Sequence, residues 1–148
     1  MNLCRTTNTL IRPVLRVLDW LAPWVDLLVR LWVANVFFKS GLLKLDSWWK
    51  TLVQFERDFH VPLLPPEAAA YLGTGIELTM PVLLALGLGA RLAAFVLFVF
   101  NIVAVISFPE IGGTGLQLHQ LWGILLLVVL TRGPGRISID HYIAGRCK

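Results

Sequence analysis

The sequence predicts an all-α membrane protein: a four-helix transmembrane bundle with an N-terminal amphipathic helix and an interfacial helix on its outer face. Two observations predict it. Apolar residues make up 57% of the 148-residue chain and charged residues only 15%, and mean hydropathy is +0.73. An ordinary soluble domain is about 45–50% apolar and about 25% charged. Second, apolar runs recur four times, each near the roughly 20 residues a helix needs to cross the hydrocarbon. This composition excludes a disordered chain and a disulfide scaffold. The net charge of +4 does not point to nucleic acid, because the basic residues form no cluster interleaved with polar base-reading residues. Orientation signals in a membrane explain them better. Cys4 and Cys147 lie at opposite ends without a Cys-x-x-Cys, so neither a thioredoxin-like motif nor a zinc knuckle is available.

The chain divides into a cytoplasmic interfacial segment (1–23), a membrane domain (24–143) and a tail (144–148). Residues 1–23 carry Arg5, Arg12 and Arg16, but no small-residue cleavage site follows, so no signal peptide is expected. Leu10, Val14, Leu15, Leu18 and Leu21 share a helical face that Arg12, Arg16 and Asp19 avoid, which predicts a basic amphipathic helix on the membrane surface. Pro23 is expected to end it. The four spans are predicted at 24–45, 67–88, 90–108 and 116–131, the last slightly short. Between the first two, Trp48, Leu52, Phe55 and Phe59 recur at helical spacing while Lys50, Glu56 and Arg57 face away. This predicts an outer surface helix anchored by Trp48 and Trp49. Pro62, Pro65 and Pro66 break the chain after it, and Pro66 and Glu67 suit the first turn of the second span.

With four spans both termini share a side. That side holds Arg5, Arg12, Arg16, Arg91, Arg132, Arg136, Arg146 and Lys148, against Lys44, Lys50 and Arg57 on the other. The bias places both termini in the cytoplasm and both cysteines in a reducing compartment, against a disulfide.

Four ordered pieces then carry a resemblance. The first span has Arg30, Phe37, Phe38, Gly41 and Lys44; the second has Gly73, Gly75 and Glu77 in YLGTGIEL; GLGARLAAFVL, with Arg91, opens the third. GPGRISIDHYI closes the fourth, with Gly133, Pro134, Gly135, Ser138 and Asp140. In this order, over roughly residues 24–143, the chain resembles the DoxX family of small bacterial four-helix membrane proteins. The resemblance implies a multi-pass protein of the inner membrane, associated with membrane redox complexes: an accessory subunit linked to quinones or to oxidative-stress enzymes. Quinone is the ligand it implies, with no covalently bound cofactor, and protein partners in a redox complex. It implies fold better than activity.

Charges inside the hydrocarbon are costly unless paired or hydrated, and so mark candidate sites. Arg30, Lys39 and Glu77 are the candidates. Glu77 is expected ~15 Å below the outer end of its span, and Arg30 ~21 Å and Lys39 ~8 Å below Lys44. Arg30, Ala34, Phe37, Gly41 and Lys44 share one face; Asn35 and Lys39 share the opposite one. The family pattern falls on Arg30, Gly41 and Lys44, which favours Arg30 as the partner of Glu77. Such a pair is either a quinone or proton site or a bond that fixes the bundle. Pro81 clashes with the carbonyl four residues back, which belongs to Glu77, so a kink with a freed acceptor is expected there. Either Thr79 or a neighbouring helix satisfies that acceptor, or a polar ligand does. Asn101 is expected at the depth of Lys39, in reach of a hydrogen bond across helices. Gly41, Gly73, Gly75 and Gly123 offer surfaces for close helix approach.

Glu56, His60, Glu110, His119 and Gln120 are metal ligands by type, with His60 and His119 the candidates, yet they come from distant segments without metal-ligand spacing, so no metal site is expected. No nucleophile stands beside a base, and GLGARL has too few glycines for a dinucleotide fingerprint. GPGRISID reads as a helix stop in which Ser138 or Asp140 caps a following short helix, or as a docking site for a soluble partner. The leading expectation is a non-catalytic subunit of a membrane redox system with a quinone-accessible site around Arg30, Lys39, Lys44, Glu77 and Asn101. The alternatives are a transport or export component for a small metabolite or metal-loaded peptide, which would need a homodimer to build a pathway, and a scaffold recruiting a soluble enzyme.

Overall fold

The computed structural model describes residues 3–61, 63–108 and 111–146, with side chains from residue 11 onward. The expectations for Pro62, Glu110, Cys147 and Lys148 lie outside the described residues, and those for Cys4, Arg5 and Leu10 rest on side chains outside them. Six helices account for nearly all of the described chain: α1 (Leu3–Asp46), α2 (Trp48–Arg57), α3 (Pro66–Leu86), α4 (Ala90–Ser107), α5 (Gly112–Arg132) and α6 (Ile139–Arg146). Four of them, α1, α3, α4 and α5, are long and apolar enough to cross a membrane.

α1 differs from expectation. It is a single 44-residue helix that passes through Pro13 and Pro23, and no break separates an interfacial helix from the first span. At ~1.5 Å per residue it is ~66 Å long, about twice the hydrocarbon thickness, so its first half stands outside. Pro23 is tolerated because the carbonyl it strands belongs to Asp19, within a stretch (11–21) that is exposed throughout. Water or lipid headgroups can satisfy that carbonyl, so the missing hydrogen bond need not end the helix. α5 is also longer than expected. The glycines at 112, 113 and 115 lower helix propensity in water, but a chain entering hydrocarbon must satisfy its backbone internally, and the helix starts at Gly112.

The helices alternate in direction. α3 packs between α1 and α4, α5 packs on α4, and a thinner α1–α5 seam closes the ring. Small residues make this close: Ala34 on α1, Ala70 and Gly73 on α3, and Ala93 and Ala94 on α4 are buried. Val33, Phe37, Leu84, Leu97 and Leu126 fill the core between them. Leu42, Leu43, Leu72, Leu92, Phe95 and Ile124 are exposed, as lipid-facing positions should be.

α2 lies across one end of the bundle. Its Phe55 is buried against Ala69 and Ala70 of α3, and Trp48 packs on Tyr71 in a tilted arrangement, 4.7 Å between centroids. Phe55 and Phe59 stack at 4.8 Å, and Phe59 in turn stacks on Phe108 at 5.1 Å, tying α2 to the end of α4. The Thr51 hydroxyl donates to the Lys44 carbonyl at 2.8 Å, satisfying one of the last carbonyls of α1. α6 lies at the other end. The bundle thus has an α2 end and an α6 end, and each holds a polar cluster.

Candidate site at the α2 end and a polar clasp at the α6 end

The partner of Glu77 is Lys44, not Arg30. The Lys44 ammonium pairs with Glu77 Oε2, and the two side chains are only 16% and 5% exposed. Ser40 completes the cluster: its hydroxyl donates to Glu77 Oε1 at 2.9 Å and accepts from Lys44 at 3.2 Å. The correction has a directional cause. Every helical Cα–Cβ bond tilts toward its own N-terminus. α1 and α3 run antiparallel, so Lys44 reaches down from the α2 end while Glu77 reaches up toward it. Gly41 lets the two backbones come together at this level: a Cβ there would lie 3.0 Å from Leu78 and 3.1 Å from Glu77. Lys39 is on an exposed face of α1 and takes no part in the pair.

Arg30 points away from Glu77 for the same reason. It is 1% exposed and sits at the α6 end. Its guanidinium donates to the Leu84 carbonyl at 3.4 Å and to the Ile137 carbonyl. α3 ends beside it at Gly87, whose φ of 70° is left-handed and whose missing side chain leaves room for the guanidinium and for Ser138. The segment 133–140 closes over this spot. Ser138 caps α6, accepting from the His141 N–H at 3.1 Å. Asp140 accepts from the Gly89 and Ala90 N–H groups at 2.8 and 3.0 Å, which makes it the cap of α4. The Asp140 N–H donates back to the Gly87 carbonyl at 2.9 Å. Gly133 and Gly135 both have positive φ, with Arg91 against the first and Asp26 against the second. Arg30 and the GPGRISID segment are therefore one clasp, distinct from the Glu77 cluster.

A cavity of about 720 Å³ opens between α1, α3, α4 and α5 under α2. Ligand pockets typically measure about 300–1,000 Å³ and are mostly apolar with few polar groups. Here Phe37, Phe100 and Trp122 form an edge-to-face group, 6.3 and 5.9 Å between centroids, on one wall. Phe55, Phe59 and Phe108 form another part of the lining. The Lys44, Ser40 and Glu77 cluster borders the cavity, as does Lys39. Of the four buried polar atoms without a hydrogen-bond partner among the described residues, two belong to Trp122 (Nε1) and Ser107 (Oγ). Both residues line the cavity.

Asn101 is buried but does not meet Lys39; α5 reaches it first. Its amide nitrogen donates to the His119 carbonyl at 2.9 Å, and its amide oxygen lies 2.8 Å from His119 Nδ1. Gly123 leaves room for the amide, since a Cβ there would lie 3.3 Å from Asn101 Nδ2. His119 lines the cavity and stands edge-on to Trp122 at 4.7 Å. His60 is exposed and joins α4 only through its backbone N–H, which donates to the Ser107 carbonyl at 2.8 Å. Among the described residues no three His, Cys, Asp or Glu side chains converge on a metal-sized site. α3 continues through buried Pro81, and Thr79 donates to the Gly75 carbonyl at 2.7 Å, leaving the Glu77 carbonyl to others.

Sequence reasoning missed Ser40, Ser107 and Trp122. Ser40 had a signal, being four residues before Lys44 on the same helix. Ser107 and Trp122 had none, because a serine at a helix end and a tryptophan in a span read as cap and anchor.

The DoxX family model matches residues 25–110, more than half of the chain. The chain belongs to the DoxX family. The match covers the membrane part of α1 through α4, and so the Lys44–Glu77 cluster and most of the cavity. It stops short of the segment 133–140. This DoxX protein is 31% identical over 123 residues to an uncharacterized protein of Haemophilus influenzae, which covers 79% of this chain and 82% of that one. No solved structure matches it.

Proposed function

We propose that this DoxX protein is a non-catalytic, quinone-binding subunit of a membrane redox system, and that the cavity under α2 holds the quinone ring. One observation carries the reading: an aromatic-walled cavity at membrane depth whose lining includes two residues, Trp122 and Ser107, with unpartnered buried donors. A buried polar group without a partner costs about 1–3 kcal/mol, so Trp122 Nε1 and Ser107 Oγ are expected to find one in a ligand. Quinone carbonyls are acceptors, the ring suits the Phe and Trp faces, and an isoprenoid tail suits the lipid around the bundle. When bound, a quinone supplies a two-electron carrier; this chain's residues orient its ring and keep water from it. The redox assignment itself rests on the family resemblance.

In this reading the α6 end faces the cytoplasm of a bacterial inner membrane. The support is the charge bias: Arg12, Arg16, Arg91, Arg132, Arg136 and Arg146 lie toward that end, against Lys44, Lys50 and Arg57 at the other.

The test is thermal unfolding of the detergent-purified protein with a short-chain quinone, for wild type and for Trp122→Phe, which keeps the ring and loses the N–H. Ligand that binds only the folded state raises the melting temperature. A clear rise in wild type and a smaller one in the variant is the expected result. No rise in either rejects quinone binding and turns attention to transported solutes or to recruitment of a soluble enzyme.

A further inference from the structure

The hydrogen bonds around Asn101 fix the protonation pattern of His119, and with it the chemistry of the cavity's ligand. A backbone carbonyl can only accept. The Asn101 group facing the His119 carbonyl at 2.9 Å is therefore its NH2. The Asn101 group facing Nδ1 at 2.8 Å is then its oxygen, which also can only accept. So Nδ1 must carry a proton. In the neutral ring this leaves Nε2 as an acceptor. Nε2 has no hydrogen-bond partner among the described residues, and the ring lines the cavity beside Trp122.

The cavity thus offers an acceptor, His119 Nε2, on a ring that touches a tryptophan whose Nε1–H is an unpartnered donor. A molecule with carbonyl oxygens alone can take the donor but leaves the acceptor empty. One with a phenolic hydroxyl can use both, since a hydroxyl donates and accepts. We infer that the cavity prefers the hydroxyl-bearing, hydroquinone form of its ring ligand, with His119 Nε2 accepting from that hydroxyl. Asn101 is the positioning residue: it touches no ligand and acts by holding His119 in the Nδ1–H tautomer. This rests on the ring-ligand reading above, and it adds which form is held and by what.

Three probes sharing one alkyl chain test it under anaerobic conditions: a decyl benzohydroquinone, the matching quinone, and the hydroquinone dimethyl ether, which has the oxygens but no O–H. The hydroquinone should bind about tenfold tighter than the other two, the cost of leaving one enclosed acceptor unpaired. Asn101→Leu, which frees the tautomer, should shrink that preference to about twofold or less. Asn101→Asp should keep it, because at this buried position the neutral acid donates its O–H to the His119 carbonyl in place of the amide while its other oxygen still accepts from Nδ1. Nitrogen-15 spectra of labelled histidine, with His119→Gln for assignment, provide a readout that needs no ligand. Nε2 should appear unprotonated in wild type and in Asn101→Asp, and shift toward the protonated signal in Asn101→Leu. Equal binding of the three probes overturns this inference alone. A protonated Nε2 in the neutral wild-type ring overturns it as well. Failure of all three probes to bind overturns the ring-ligand reading and this one with it.

Discussion

Lys44 of α1 and Glu77 of α3 form the one ion pair among the described residues, and they meet because antiparallel helices aim their side chains at each other. Arg30, on the same face of α1 but lower, is carried away from Glu77 by that geometry and ends against two carbonyls instead. Two polar clusters result, one beside a cavity and one that closes the opposite end of the bundle.

The pair should be energetically coupled. Glu77→Gln and Lys44→Met each leave a buried polar group without its counterpart, a loss of about 3 kcal/mol when a buried pair is broken from one side. The double variant Lys44→Met/Glu77→Gln should lose less than the sum of the two single losses. A double-mutant cycle on thermal unfolding in detergent reads this directly, and additive losses would mean the two side chains do not interact.

Gly41 and Gly75 should respond in opposite senses to alanine. At Gly41 the new methyl would press on Leu78 and Glu77 at 3.0–3.1 Å, and overpacking of this kind costs about 1–3 kcal/mol. At Gly75 nothing lies within 4 Å, and alanine should stabilise the helix by up to about 1 kcal/mol. Melting temperatures of the two variants, one falling and one rising, check the helix approach.

The clasp should loosen locally rather than globally. Asp140→Ala removes the cap from two N–H groups of α4, a loss of about 1 kcal/mol. Hydrogen exchange should speed up at Gly89 and Ala90 before it does in the middle of α4. Arg30→Lys should loosen the same end, because one ammonium cannot reproduce the fork that spans the Leu84 and Ile137 carbonyls. Faster exchange at the α2 end instead would contradict the separation of the two clusters.

Topology is open to cysteine labelling in a background with Cys4 and Cys147 changed to serine. A cysteine at Lys50 should react with a membrane-impermeant maleimide on intact spheroplasts, and one at Arg136 only after the membrane is opened. The reverse pattern would invert the orientation.

Much of the fold was legible in the sequence because membrane insertion leaves a coarse signal. Four apolar runs, a tight Gly87–Gly89 turn and the Trp48–Phe59 periodicity each follow from a strong physical constraint. The face of α1 that holds Arg30, Phe37, Gly41 and Lys44 followed from helical phase alone. What was not legible was which residues on that face meet which on α3. Depth counted along a helix axis places Cα atoms, whereas Lys44, Glu77 and Arg30 reach several ångströms along the axis in directions set by chain polarity. Asn101 was misassigned for a related reason: α5, not α1, packs against its side of α4, and sequence gives no order of helices around the ring. Pro23 misled because its cost depends on whether the stranded carbonyl can find water.

The most direct test of the account is photo-crosslinking with an azido-quinone in native membranes, followed by peptide mapping. Labels should fall on the cavity lining, on the peptides that carry Phe59, Phe100, His119 and Trp122, and excess unmodified quinone should suppress them. Labelling confined to lipid-facing positions such as Leu42, Leu92 and Ile124, or labels that excess quinone does not suppress, would contradict it.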